Sequence, residues 1–211
     1  MEPTAWPEVT WFYPPEIKAA YYAGTLFREW FKKYPPLAPT HLNGHHLFRD
    51  RMFLGHDIPH SGTIKYCSYF HEFYVGTQYL DAGYDVLFYQ RKVEDEVCYR
   101  KACELFGDAD GCTDAGQFIV PNKEDGGRAP DLIVFKPGTK LFRFVECKGK
   151  YEKFAKSQPK RFADIEEYLN NSSALKTGPL FDPAYPELFP PLAVGQWIHV
   201  ARLISKPSAK R

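Results

Sequence analysis

Residues 126–158 read GGRAPDLIVFKPGTKLFRFVECKGKYEKFAKSQ. Two apolar runs dominate this stretch. Asp131-Leu132-Ile133-Val134-Phe135 follows a Gly126–Pro130 turn signal, and Leu141 to Lys148 follows a second turn, Lys136-Pro137-Gly138-Thr139. Short runs of β-branched and aromatic residues bounded by Gly and Pro predict two strands, here joined as a hairpin. Side chains alternate across a strand, so Glu146 and Lys148 share one face and Cys147 points to the other. In a hairpin Asp131 then lies beside Glu146 at one sheet end, and two carboxylates and one ammonium converge. The strand is otherwise apolar (Phe142, Phe144, Val145), so an acid and a lysine at its end are hard to explain as a solvated face.

Working outward, a helix is predicted from near Ser157, a candidate N-cap, to Leu169, with Phe162, Ile165 and Leu169 on its buried face. Asn170-Asn171-Ser172-Ser173 breaks it, and residues 174–195 form a Pro-rich loop before a last strand, Gln196 to Leu203. Upstream, Tyr66, Tyr69, Phe70, Phe73, Tyr74, Thr77 and Leu80 recur at helical spacing and predict a helix over 63–82, with Gly83 as its C-terminal cap. A strand follows at Tyr84 to Gln90. Residues 91–125 carry five Lys/Arg against nine Asp/Glu and read as an acidic insertion. Residues 1–62 read as an aromatic and Pro-rich extension packed on the core. Its helix is predicted from Glu16 to Lys33, opened by Pro15 and stopped by Tyr34-Pro35-Pro36. The core domain spans 63–205, and 206–211 is a basic tail. The order helix, strand, strand, strand, helix, strand predicts an α/β domain with a central mixed sheet flanked by helices and an N-terminal helical extension.

Composition agrees. The chain has 211 residues, 44% hydrophobic and 25% charged, which suits one folded domain and excludes wholesale disorder. A net charge of +1 excludes a polybasic protein, so nucleic-acid binding would need a local patch. No run of about 18 apolar residues predicts a membrane span. The first residues lack the basic start and apolar run of a signal peptide, and five unevenly spaced cysteines argue against a disulfide framework, so a cytoplasmic, reducing setting is expected.

The patch is present. Residues 136–161 hold nine Lys/Arg against two acids, a local balance of +7. Arg128, Lys150, Lys153, Lys156, Lys160 and Arg161 are candidate contacts to a phosphate backbone, the alternative being a solvated helix face. Two carboxylates suit a hard divalent cation with oxygen ligands, and such a cation polarises a phosphodiester. Lys148 would stabilise developing charge with its head group in a wet cleft.

The proline-aspartate, then glutamate-x-lysine, with flanking glycines and a downstream Gln, resembles the PD-(D/E)xK nuclease superfamily, and within it the VRR-NUC branch. The resemblance is specific from Gly127 to Gln158 and extends over about residues 64–170 by element order. It implies a restriction-endonuclease-like αβββαβ core and a metal-dependent DNA endonuclease, structure-specific or not, hydrolysing phosphodiesters to leave a 5′-phosphate. Asp131 and Glu146 match the metal-binding acids and Lys148 the catalytic lysine, with Mg²⁺ or Mn²⁺ as cofactor. Gln158 matches the downstream glutamine, the alternative being a plain helix-start residue, since Pro159 bars it from a helix interior. The further acid on the first core helix falls on Glu72, which sits among Phe70, Phe73 and Tyr74; the alternative is an exposed position. Cys147 stands where Val is common, and Lys150 and Glu152 where Pro and Asp are common. DNA is the implied partner, and a homodimer would let two sites cut two strands. Two other readings remain open: a catalytically silent nucleic-acid-binding module of the same fold, and an interaction protein built on the aromatic N-terminus.

Cys98, Cys103 and Cys112 lack paired close spacing and read as free thiols rather than a zinc site. His41, His45, His46, His56 and His60 crowd the 40–62 segment as loop residues. His71, beside Glu72, belongs either to the site or to solvent.

Overall fold

The computed structural model describes residues 5–26, 29, 33, 70–88, 105, 129–171 and 178–207. Apart from Leu105, the acidic insertion lies outside the described residues, as do the His-rich segment, Arg128, Cys98, Cys103, Cys112 and residues 208–211 of the basic tail. The elements are β1 (Glu8–Tyr13), α1 (Pro15–Tyr22), α2 (Phe70–Asp81), β2 (Asp85–Phe88), β3 (Leu132–Phe135), β4 (Phe142–Gly149), α3 (Gln158–Asn171) and β5 (Ile198–Ser205). Among the described residues the chain forms an α/β fold with one five-stranded mixed sheet in the order β1-β5-β4-β3-β2. β2, β3 and β4 form an antiparallel meander, while β4 with β5 and β5 with β1 run parallel.

The β3–β4 hairpin has the expected register. Leu132 pairs with Val145 and Phe135 with Phe142, which puts Asp131 across from Glu146 one step beyond the last ladder pair. Its turn closes through the Thr139 N–H to the Lys136 carbonyl at 3.1 Å.

Alternation then builds two cores. On one face Leu132, Val134, Val145 and Cys147 pack with Phe70, Phe73, Val75 and Tyr79 of α2 and with Leu188 and Phe189 of the Pro-rich loop. On the other, Ile133, Phe135, Phe142 and Phe144 pack against Phe162, Ile165 and Leu169 of α3. Each such side chain removed from water contributes about 1.5–3 kcal/mol. Glu166 of α3 accepts the Trp197 and Ile198 N–H groups at 2.7 and 3.1 Å and the Trp6 indole at 3.0 Å, tying the start of β5 to the helix. Gly83, at φ 87°, ends α2 as expected.

Two sequence expectations are corrected. The first helix does not run from Glu16 to Lys33 without a break: α1 ends at Tyr22, and Gly24, at φ 74°, turns the chain out of it. Ahead of it, where the sequence predicts only an extension, β1 joins the sheet. Trp11 and Tyr13 face the core, Phe12 is exposed, and the strand pairs with β5 from Glu8↔Val200 to Tyr13↔Ser205.

Arg143 is the third correction. It counts toward the basic patch in the sequence, yet it is fully buried, on the α2 face of β4. Its Nη1 donates to the Pro190 carbonyl at 3.2 Å, while Nε and Nη2 have no hydrogen-bond partner. Its guanidinium carbon lies 5.4 Å from the Phe189 ring centroid. Beside it the Tyr79 hydroxyl donates to the Leu188 carbonyl at 2.7 Å and meets His199 Nε2 at 3.0 Å. Burial, then the Arg143 charge, hold the His199 pKa well below the ordinary 6.5. Burial also pulls Arg143 from 12.5 to about 10. That is a cost of order 3 kcal/mol to the charged form. The Pro190 bond and the ring contact return about 1 kcal/mol each. Arg143→Met is therefore expected to stabilise the fold by about 1 kcal/mol, raising the thermal midpoint by about 2–4 °C. Calorimetry checks this, and a lower midpoint would mean the guanidinium has stronger partners than these.

Candidate active site at the end of β4

β4 ends in Glu146-Cys147-Lys148-Gly149, and α3 begins ten residues after Lys148 with Gln158. The Ser157 carbonyl accepts the Arg161 N–H at 3.2 Å, so Ser157 takes the N-cap position. Gln158 is the first helical residue, with Pro159 behind it where no N–H is needed. Its side chain points back into the sheet end and is 1% exposed.

Three groups lock there. Lys148 Nζ lies 2.6 Å from Glu146 Oε1 and donates to Gln158 Oε1 at 3.3 Å. Gln158 Nε2 donates to Glu146 Oε1 at 2.8 Å, and Gln158 Oε1 also accepts the Ala155 N–H at 2.8 Å. Asp131 Oδ2 accepts the Cys147 N–H at 2.7 Å, which fixes its carboxylate beside β4. Glu146 Oε2 is buried and has no partner. Lys148 is 5% exposed, so its ammonium is held inside the cluster rather than in the wet cleft expected from the sequence. The reason is local: two acids and an amide replace the water it would otherwise keep.

The electrostatics are those of crowded carboxylates. Asp131 is pushed well above the ordinary range by burial, then by the charges of Glu146 and Glu72. Glu72, half-buried on α2, is pushed up to about 7 by burial, then by Glu152 and Glu146. Burial raises Glu146 too, with Lys148, Gln158 and a side-chain hydrogen bond to Asp131 opposing the shift. Burial disfavours the Lys148 charge, but Glu146, Asp131 and Glu152 outweigh it and hold the ammonium above its usual value. Thus Asp131, Glu146, Glu72, Lys148 and Gln158, singled out separately in the sequence, act on one another.

The donor set fits a hard divalent cation. An unpartnered buried carboxylate oxygen and three mutually repelling acids are what a cation would relieve. Among the described residues no three His, Cys, Asp and Glu side chains form a ready-made cage for an ion. Two carboxylates suffice for Mg²⁺, which keeps several waters and takes substrate phosphate as a ligand.

Of the basic candidates, Lys150, Lys153 and Lys156 are exposed on the loop between β4 and α3. Lys160 is exposed but pairs with Asp164 at 2.9 Å, and Arg161 is half-buried. Two residues, Glu152 and Arg202, were not singled out from the sequence as site residues, and His71, for which the sequence left site and solvent both open, lies against Gly149. Glu152 closes on the site through its Oε2, which accepts the Gly149 N–H at 3.0 Å, and its Oε1, 3.8 Å from Lys148 Nζ. Arg202 of β5 donates from Nη1 to the Gly149 and Glu152 carbonyls at 2.9 and 3.1 Å. His71 packs so closely on Gly149 that a Cβ there would meet its Cε1 at 2.9 Å. The signal for Glu152 was its i+4 spacing from Lys148; Arg202 carried none, because its role depends on the β4–β5 pairing.

No family model, no curated protein and no solved structure matches the chain. Among the described residues no helix is long and apolar enough to cross a membrane.

Proposed function

We propose that this chain is a divalent-metal-dependent DNA endonuclease with a restriction-endonuclease-like core of the PD-(D/E)xK, VRR-NUC type. One observation carries the reading: Asp131, Glu146 and Lys148 meet at one sheet end, with Gln158 bridging the last two and Glu72 coupled to them. Asp131 and Glu146, with Glu72 beside them, would hold Mg²⁺ or Mn²⁺. The bound cation supplies Lewis acidity at the scissile phosphate and neutralises charge between the acids. Lys148 would place a fixed positive charge where the phosphate gains negative charge in the transition state. Gln158 keeps Glu146 Oε1 and Lys148 Nζ in one geometry, leaving Glu146 Oε2 for the cation. Lys150, Lys153 and Lys156, all exposed, would meet the phosphate backbone on either side of the cut.

The test is a panel of end-labelled single-stranded, duplex, nicked, flapped and branched DNAs with Mg²⁺, Mn²⁺ or EDTA. Cleavage that requires the metal and leaves a 5′-phosphate is expected. Binding without cleavage under every condition would favour the silent nucleic-acid-binding module. Neither binding nor cleavage would remove the reading.

A further inference from the structure

The turn that leaves the catalytic strand is built to display an aromatic ring. The Glu152 N–H donates to the Gly149 carbonyl at 3.1 Å, so Gly149-Lys150-Tyr151-Glu152 is a closed four-residue turn with Lys150 and Tyr151 at its corner. The Glu152 carboxylate closes it a second time through the Gly149 N–H. Arg202 clamps both ends by their carbonyls, and is itself held by Glu8 at 2.6 and 2.9 Å. On this braced turn Tyr151 is 82% exposed, more than any other aromatic side chain among the described residues. Lys150 Nζ lies 4.8 Å from its ring centroid, and Lys153 and Lys156 follow, both exposed. A ring 82% exposed adds little to the core. Its backbone stands at most about 11 Å from that of Lys148, three residues away.

We infer that Tyr151 is a stacking platform for an unpaired DNA base next to the scissile phosphate, with Lys150, Lys153 and Lys156 tracking the backbone of that single strand. This rests on the endonuclease reading and adds the class of substrate: DNA with an unpaired stretch at the cut. Every base offers a π-face, so a ring and lysines bind single strands without reading sequence. Paired bases are already stacked on each other and cannot use the ring. The braced turn limits the conformational entropy lost when a base docks, which makes Arg202 a positioning residue for Tyr151.

The test is equilibrium binding in EDTA, which separates affinity from cutting, of fluorescent oligo(dT) and of a blunt duplex. Tyr151→Ala is expected to weaken oligo(dT) binding about tenfold or more, while duplex affinity changes less than about twofold. Tyr151→Phe, which keeps the ring and loses only the hydroxyl, is expected to stay within about twofold of wild type on both. Thermal melting of each variant checks the fold. The inference is overturned if Tyr151→Ala binds oligo(dT) like wild type, if it weakens both ligands alike, or if Tyr151→Phe loses as much as Tyr151→Ala. Wild-type cleavage with Mg²⁺ is measured alongside. If cleavage is present and the Tyr151 variants do not discriminate, only the stacking platform falls; if wild type neither binds nor cuts, both readings fall.

Discussion

Lys148→Ala is expected to lower the single-turnover cleavage rate by about 10² or more while leaving DNA affinity within a fewfold of wild type. The ammonium is buried and already anchored to Glu146 and Gln158, so it has no free reach to hold a distant phosphate in the ground state. An interaction made mainly in the transition state appears in the rate and not in binding. Removing it also leaves Glu146 with less compensation, so some loss of stability is expected, and melting must accompany the kinetics. Lys156→Ala is the contrast. Lys156 is exposed, so its loss should weaken binding, lessen the salt dependence of affinity, and leave saturated turnover near wild type. A folded Lys148→Ala protein cutting at the wild-type rate would take Lys148 out of the chemistry.

The second large effect is expected at Asp131, and it has two opposite signs. Asn is a neutral copy: its oxygen can still accept the Cys147 N–H, and its amide can donate toward Glu146. Burial and the neighbouring acids hold the Asp131 pKa well above its unfolded value, which costs stability whenever the pH lies above that unfolded value. In metal-free buffer at about pH 8, Asp131→Asn should therefore melt higher, by about 2–4 °C for each kcal/mol relieved. With Mg²⁺ the order should reverse in part. Wild type gains midpoint through binding, and the variant gains little because a ligand is gone. Cleavage by the variant should fall by about 10³ or more, since a charge-bearing ligand is lost together with the cation's position. A variant less stable than wild type without metal would show that Asp131 is an ordinary structural acid.

The hairpin and its acid–acid–lysine end were legible because short-range features specify them: period-two alternation, two turn signals, and a register that one tight turn dictates. Gln158 was legible as a position but not as a bridge, since its contacts depend on the angle at which α3 returns to the sheet. β1 was missed for a different reason. It is short, lies between Pro7 and Pro14, and gains its stability from pairing with β5, at the other end of the chain. Its outward Phe12 also blurs the alternation. The charge count along 136–161 misread two members, because counting ignores which face a strand residue takes: Arg143 turns into the α2 core and Lys148 into the carboxylates. The overlong first helix shows the reverse error. An apolar stripe continuing to Phe31 hid a single glycine that ends α1.

The central claim is that Asp131, Glu146 and Lys148 form a cation-dependent site for cutting DNA. The direct measurement is single-turnover cleavage of the best substrate by wild type and Asp131→Asn, purified side by side, in Mg²⁺ and in EDTA. The account predicts product only from wild type and only with Mg²⁺. Product from wild type in EDTA, or from folded Asp131→Asn at the wild-type rate, would contradict it.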